Sequence, residues 1–517
     1  MTLHGQSSVL PELPIAHAEF ERHAAAHPNR LALSYTKQRI SYGELDGKAN
    51  RLAHLLRARG IAKGSVVGLC LDRGPELVQW ILAVLKTGAA YVPLDTTYPA
   101  ERLQSNMSQL PEMSLIAVSP ETVALLGAEH PATLSIADHA AELDAAPSHK
   151  PDVTIDPSDL CYVVFTSGST GTPKAVAVRH VGWYNLMNWQ RIEYRLDAQS
   201  SNLIVSSFGF DITQRSIMTP LFCGAALHLL PSRSFDPAMA YRLIAENGVQ
   251  TLHCTPSTLY LLVDRETDRG GTSLRDNVRF MFIGGEALSV ARIAAWATTE
   301  GNDCTLLHQY GVSECTDVAS SHPLTDFPAY AKGCVPVGKP VYNTTIHLLD
   351  ENLDDVPEGD IGEVCISGAS VGAGYLNARP ADAARFTTIV RGTEMIAVYR
   401  TGDRGGCTPD GELFISGRMD AQVKIRGSRI DLGDVDGAVR SSDQVRDAAV
   451  VAIANSDGEL ELVAFVIPAG ESLDVRELRT ELYAKVPKSM VPGEFVEVSD
   501  FPLNPNGKVD RKALASH

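Results

Sequence analysis

The stretch Cys161–Val178, CYVVFTSGSTGTPKAVAV, decides how the rest of the chain is read. An apolar strand, Cys161 to Phe165, runs into Thr166, Ser167, Gly168, Ser169, Thr170, Gly171, Thr172, Pro173 and Lys174. Glycines let a backbone approach a ligand closely, and hydroxyls with backbone N–H groups can wrap phosphate oxygens. Lys174 adds a mobile positive charge. The string is not a Walker A loop, in which the lysine directly follows a glycine and precedes Ser or Thr; here Lys174 lies between Pro173 and Ala175. A Ser/Gly-rich surface loop is the bland alternative for a generic run. This ordered string points instead to phosphate binding.

Outward from that loop, helical and strand patterns alternate. Ser41 to Arg59 carries apolar residues at helix spacing, namely Leu45, Ala49, Leu52, Leu55 and Leu56. Val66–Leu71 reads as a strand, Pro75–Thr87 as a helix and Ala90–Leu94 as a strand. Leu203–Ser207, Leu227–Leu230 and Arg279–Ile283 read as buried strands, and the Ala-rich stretch Ala140–Ala146 as a loop or helix end. Such alternation predicts an α/β fold with parallel sheets covered by helices. Near Gly362 the texture changes to short strands and Gly-rich turns (Glu363–Ser367, Glu412–Ile415, Gln422–Ile425). Val435–Val439, strands at Ala448–Ile453 and Leu460–Ile467 and a helix near Val475–Val486 complete a small α+β unit. The turn Gly417–Asp420 is the predicted boundary, with a rigid surface turn as the alternative.

Composition narrows the class. The chain has 517 residues, 45 Lys+Arg and 62 Asp+Glu, a balance of −17. Length fits about three equal domains or one large and one small. The ordinary composition excludes collagen, coiled coil and bulk disorder. The acidic balance argues against nucleic acid as a partner but leaves room for a local basic site. The nine cysteines are scattered without a CxxC, which argues against a disulfide framework or structural zinc and for a reduced, cytoplasmic setting. Residues 1–12 carry no signal-peptide pattern. Val78–Leu94 is too interrupted, by Lys86, Gly88 and Pro93, to span a membrane.

The phosphate loop resembles that of the adenylate-forming enzymes: acyl-CoA ligases, luciferases and the adenylation domains of nonribosomal peptide synthetases. Further motifs narrow the resemblance to the last group. They are Ile40–Leu45 (ISYGEL), Leu85–Asp95 (LKTGAAYVPLD), Phe210-Asp211, Tyr310–Glu314 (YGVSE), Gly362-Glu363 through Gly372–Leu376 (GAGYL), Tyr399–Asp403 (YRTGD), Gly417–Gly427 (GRMDAQVKIRG) and Asn504–Asp510 (NPNGKVD). The resemblance spans residues 15–515, and the motifs in this order are very specific. It implies a large N-terminal domain, residues 1–419, of two αβ-layered sheets plus a small β-barrel. A small mobile C-terminal α+β domain, residues 420–517, would turn on a hinge at Asp420.

The resemblance also implies a chemistry. A carboxylate is joined to AMP from ATP, with loss of pyrophosphate; in-line attack at phosphorus needs positioning and charge neutralisation. Thr166, Ser167, Gly168, Ser169, Thr170, Gly171 and Lys174 would hold phosphates. Gly285, Glu286, Tyr310, Gly311 and Ser313 would frame the nucleotide, with Tyr310 on adenine. Asp403 would accept the ribose hydroxyls, and Arg418 would contact the nucleotide. Glu314 would hold Mg²⁺, a hard cation suited to oxygen. Lys508 would reach the reacting carboxylate, making Lys508, Glu314 and Thr166 the catalytic set. A phosphopantetheine thiol would then attack the adenylate once the small domain has rotated and presented Gly427. Two departures, Val312-Ser313 for Pro-Thr and Ala175 for Gly, remove no required group.

Which acid is activated rests on the pocket. Asp211 would meet an α-ammonium, which favours an amino acid; a β-amino acid, or an acyl- or aryl-CoA ligase activity, is the alternative. Motif by motif, the pocket positions are Asp211, Ile212, Arg215, His253, Phe282, Gly284, Gln309, Asp317, Val318 and Lys508. Arg215 and His253 could pair with a side-chain carboxylate, favouring an acidic or amide-bearing substrate. Asp317 could instead neutralise Arg215 internally, leaving room for a neutral polar or basic side chain. No carrier-domain motif follows Lys508, so a stand-alone enzyme or excised domain serving a carrier protein in trans is expected. Some relatives also need a small MbtH-like partner.

Overall fold

The structure is a computed structural model. It describes every residue except 111–112, 128–129, 131, 167–172, 331–334, 420–421, 456–457, 471, 503–508, 510 and 516–517, and the side chain of residue 512.

Local sequence explains the first elements. Ser41 caps the helix Tyr42–Ala58 in a reciprocal box with Glu44, and the buried face carries Leu45, Ala49, Leu52 and Leu56. The strand Val66–Cys70 is buried along its whole length, as a parallel strand covered on both faces must be. The helix Pro75–Lys86 opens with proline at its first position. Its last residue, Lys86, is fully buried, and its Nζ meets Glu21 at 2.5 Å and Asp46 at 2.8 Å.

Among the described residues the large domain is built on three sheets. A seven-stranded sheet runs in the order Gly374–Leu376, Lys174–Arg179, Leu160–Thr166, Ala90–Pro93, Val66–Cys70, Leu115–Val118 and Thr133–Leu134. A nine-stranded sheet has a parallel centre: Thr305–Tyr310, Phe280–Gly284, Thr251–Cys254, Asn202–Ile204 and Leu227–Leu229. The third sheet is antiparallel and joins Thr2–His4, Thr344–Leu349, Gly362–Gly368, Glu394–Cys407 and Phe386–Arg391, with Leu413–Arg418 branching from Glu394–Cys407. This six-stranded unit occupies the place expected for the barrel. Its strands form an open path with bulges rather than a closed ring among the described residues.

The small domain opens with a hairpin, Gln422–Ile425 against Ser428–Asp431. Asp431 caps the helix Leu432–Arg440. The strands Val445–Ala454, Leu460–Pro468 and Glu494–Glu497 form a sheet backed by the helix Val475–Lys485, with Val450, Ala464 and Leu478 in its core. That helix also packs on Ala100–Met107 of the large domain. Ala140–Ala145 is a short helix, and the strand expected over 203–207 ends at Ile204, where a loop begins that delivers Asp211. No helix among the described residues is long and apolar enough to cross a membrane.

Candidate active site

A cavity of about 460 Å³ lies between the two domains. Its large-domain wall is made where strands end: Thr166, Ser206-Ser207, Gly284-Gly285 and Tyr310–Ser313. In α/β folds the crevice beyond the carboxyl ends of the strands is the usual ligand site. The small domain contributes Lys424, Gly427 and Arg429 from its hairpin.

Asp211 opens the helix Asp211–Cys223, and its carboxylate accepts a short hydrogen bond from the Ser313 hydroxyl. The preceding loop is held by Asp95, which accepts from the hydroxyl of Ser207 and from the backbone N–H of Gly209. Asp95 closes a sequence motif, but its contact to a segment more than a hundred residues away carries no local signal. Ile212 and Val318 line the cavity with apolar surface.

One helical turn after Asp211, Arg215 is 1% exposed and already partnered. Its Nε lies 2.6 Å from an Asp317 carboxylate oxygen, and its Nη1 donates to the Gln309 side-chain carbonyl at 2.6 Å. Of the two readings open for Arg215, the structure has the internal pair. Burial, then repulsion from Asp211, raise Asp317 to about 7 although Arg215 opposes this. His253 and Phe282 do not line the cavity. They stack at 4.8 Å and are fully buried, whereas Arg215 lines the cavity. Burial, then the Arg215 charge, hold His253 well below the usual imidazole range, so it is neutral. It is therefore not a cationic partner for a substrate carboxylate.

The nucleotide residues converge on the other side. Tyr310 donates its hydroxyl to Asp403 at 2.6 Å, and Asp403 also pairs with Arg418. A Cβ on Gly311 would fall 1.9 Å from the Asp317 carbonyl oxygen, so glycine is required there. Glu286 accepts from the hydroxyl and N–H of Ser257 at 2.6 and 3.1 Å, and burial raises its pKa. The Thr166 hydroxyl is buried with no hydrogen-bond partner among the described residues. Lys174 is not a mobile cation. Its strand position directs it to Asp382, at 2.7 Å, and over the Tyr375 ring. Ser167, Gly168, Ser169, Thr170, Gly171, Asp420 and Lys508 lie outside the described residues.

Glu314 is 1% exposed and bound from two directions. Tyr375 donates to it at 2.6 Å, and Arg429 of the small domain lies 3.1 Å away. Burial would raise its pKa, but Arg429 and the Tyr375 hydroxyl outweigh this and hold it below the ordinary value. Lys424 stands 5.4 Å from the Tyr310 ring centroid. Gly427 has φ +78°, and a Cβ there would come within 2.5 Å of Thr255 Cγ2. Lys424 lies inside the Gly417–Gly427 motif, yet nothing local marks it for the cavity. Arg429 lies two residues past that motif, and nothing in the sequence pairs it with Glu314.

This fold, with a strand-end cavity capped by a small second domain, defines an adenylate-forming ligase. The family model described as AMP-binding enzyme matches residues 20–376, and that described as AMP-binding enzyme C-terminal domain matches residues 434–508. The chain belongs to this family, as an adenylation domain of the nonribosomal peptide synthetase type. It is 34% identical over 505 residues to a dimodular nonribosomal peptide synthase of Bacillus subtilis (strain 168), covering 96% of this chain and 21% of that protein. It is 35% identical over 505 residues to tyrocidine synthase 3 of Brevibacillus parabrevis, covering 96% of this chain and 8% of that protein. The chain thus spans about a fifth or less of the length of these relatives. Among solved structures, an NRPS protein containing adenylation and PCP domains bound to a vinylsulfonamide inhibitor matches with TM-score 0.83 and 26% identity, over 97% of this chain and 84% of that one. An artificially fused adenylation–PCP di-domain from Klebsiella oxytoca, 24% identical, shares the fold with TM-score 0.84, over 94% of each chain.

Proposed function

We propose that the chain joins an amino acid to AMP from ATP, releasing pyrophosphate, and passes the aminoacyl group to the phosphopantetheine thiol of a carrier protein. The observation that carries this reading is the cavity itself, which is lined by both Asp211, bonded to Ser313, and Tyr310, bonded to Asp403 behind it. A carboxylate in a pocket favours a ligand ammonium. Asp211, steadied by Ser313, would hold the α-ammonium and aim the α-carboxylate toward the nucleotide side. Tyr310 would lie on adenine, and Asp403 would exchange Arg418 for the ribose hydroxyls. The unpartnered hydroxyl of Thr166, at the mouth of the phosphate loop, fits a phosphate oxygen.

Lys508 would neutralise charge between the reacting carboxylate and the α-phosphate while the small domain faces the other way. The boundary at 419/420, with Asp420 as pivot, belongs to this reading. Mg²⁺, when bound, would shield phosphate charge and polarise the α-phosphorus centre. The carboxylate of Glu314 has the oxygen chemistry for it. No group of three His, Cys, Asp or Glu among the described residues is placed to hold a metal, so phosphate oxygens and water would complete its shell. The carrier partner is supported by the adenylation–PCP proteins that share the fold.

Amino-acid-dependent ATP–pyrophosphate exchange tests the first step, and loading of a phosphopantetheinylated carrier protein tests the second. Exchange supported by fatty or aryl acids and by no amino acid would overturn the proposal. Lys508→Ala is expected to abolish most exchange in a folded protein.

A further inference from the structure

The side-chain end of the cavity is closed by a charge-paired group. Arg215 and Asp317 meet at 2.6 Å, and Gln309 accepts from Arg215 at 2.6 Å. Gln309 is itself anchored, donating to the Ser321 hydroxyl at 3.4 Å, and Ser321 meets the Tyr194 hydroxyl at 3.1 Å. Arg215, Asp317 and Gln309 all line the cavity. The floor therefore presents a guanidinium donor beside a carboxylate acceptor, and the two charges offset one another when Asp317 is ionised.

From this we infer that the enzyme selects an amino acid with a short, uncharged side chain that both donates and accepts hydrogen bonds, a carboxamide or a hydroxyl. The inference rests on the adenylation reading above.

Charge excludes the neighbouring classes. A substrate carboxylate would approach Arg215 only by crowding Asp317, in a site that already holds Asp211. A substrate ammonium would meet the Arg215 cation, with Lys424 on the opposite wall. An aliphatic side chain would bury the floor's polar groups without replacing their water, which disfavours it. A carboxamide fits because its carbonyl accepts from Arg215 while its NH₂ donates to Asp317.

Size follows from the same group. Asp211 and Arg215 are one helical turn apart, about 6 Å along the axis. A ligand held by its ammonium at Asp211 has only that rise before it meets the floor. His253 and Phe282, which would line a deeper pocket, are sealed behind.

The test is pyrophosphate exchange by the unmodified chain with serine, threonine, homoserine, asparagine, glutamine, aspartate, glutamate, lysine, ornithine, leucine and phenylalanine. One of the first five is expected to exceed each of the last six by at least tenfold. An acidic, basic or apolar amino acid as the best substrate would overturn the inference while leaving adenylation intact. Exchange with no amino acid but with a fatty or aryl acid would instead remove the reading on which it rests. Asp317→Asn frees Arg215 and is expected to raise aspartate or glutamate at least tenfold relative to the best neutral substrate. Arg215→Gln frees Asp317 and is expected to raise lysine or ornithine in the same way. Should one variant fail to fold, the other and the unmodified panel still decide. An unchanged ranking in a folded variant would overturn the role of the pair.

Discussion

The guanidinium of Arg429, on the small domain, lies 3.1 Å from the carboxylate of Glu314 on the large one. Glu314 is buried and Arg429 mostly so, and Glu314 is also the residue proposed to bind the metal. The small domain therefore stands in an orientation that brings its hairpin to the cavity. A metal at Glu314 would compete with Arg429 for the same oxygens, which would separate the proposed half-reactions.

Removing Arg429 tests this separation. Breaking a buried ion pair by deleting one partner costs about 3–5 kcal/mol. That cost falls on this orientation alone. Arg429→Ala is expected to slow carrier loading at least tenfold while pyrophosphate exchange changes less than threefold. A parallel fall in both rates would refute the assignment.

Gly427 gives an independent test of the same orientation. Its φ of +78° disfavours any side chain, and a Cβ would collide with Thr255 at 2.5 Å. Gly427→Val should block the hairpin from the cavity. Carrier loading is expected to disappear with exchange retained. Loading at the unmodified rate would show that the hairpin need not enter.

Asp403 is held by the Tyr310 hydroxyl and by Arg418. Asp403→Asn keeps the shape and removes the charge. The expected outcome is a KM for ATP raised at least tenfold with a KM for the amino acid little changed, read by exchange kinetics. Equal effects on both would point to collapse of the cavity rather than loss of a ribose contact.

Lys86 is fully buried between Glu21 and Asp46, and Lys150 adds a second cation to Glu21. Lys86→Ala leaves two carboxylates short of a partner, and a loss of about 3 kcal/mol is expected in urea unfolding. A midpoint within error of the unmodified chain would remove this pair from the core's account.

Acid should unfold the protein from below neutral pH. Burial first, despite Glu21, lowers His17 to about 3, and burial lowers His180 to about 4. An unfolded imidazole binds its proton near pH 6.5, whereas these folded ones do not. The unfolded state then binds more protons, so stability falls as pH drops through 6.5 toward 4. Glu21, held near 2 by His17 and the two lysines against the effect of burial, has the same sign between 4.5 and 2. Asp317, raised to about 7, acts oppositely between 7 and 3.8. Urea midpoints at pH 7.5 and 5 should differ in favour of pH 7.5, and equal midpoints would contradict the buried neutral histidines.

Local patterns carry most of the fold. Helix Tyr42–Ala58, strand Val66–Cys70 and helix Pro75–Lys86 lie within a residue or two of their expected bounds, because caps, proline and periodicity are local signals. The residues expected on the nucleotide side are named by their motifs, several of which, such as Thr166 and Tyr310, fall where strands end. Partner choice is not legible there. Sequence alone leaves Lys174 free for phosphate, whereas the fold ties it to Asp382, two hundred residues away along the chain. Motif positions put His253 and Phe282 in the pocket, whereas packing buries both outside the cavity lining.

The sequence by itself determined the two-domain α/β class and the positions of the motifs that carry Asp211, Glu314 and Asp403, because these depend on short strings and their order. Only the tertiary structure decided that Arg215 is neutralised by Asp317 and that Arg429 occupies Glu314. A charge pair forms wherever two buried groups meet, and burial removes the water that would otherwise screen them. Which groups meet is set by packing across sheets and domains, on which spacing along the chain is silent.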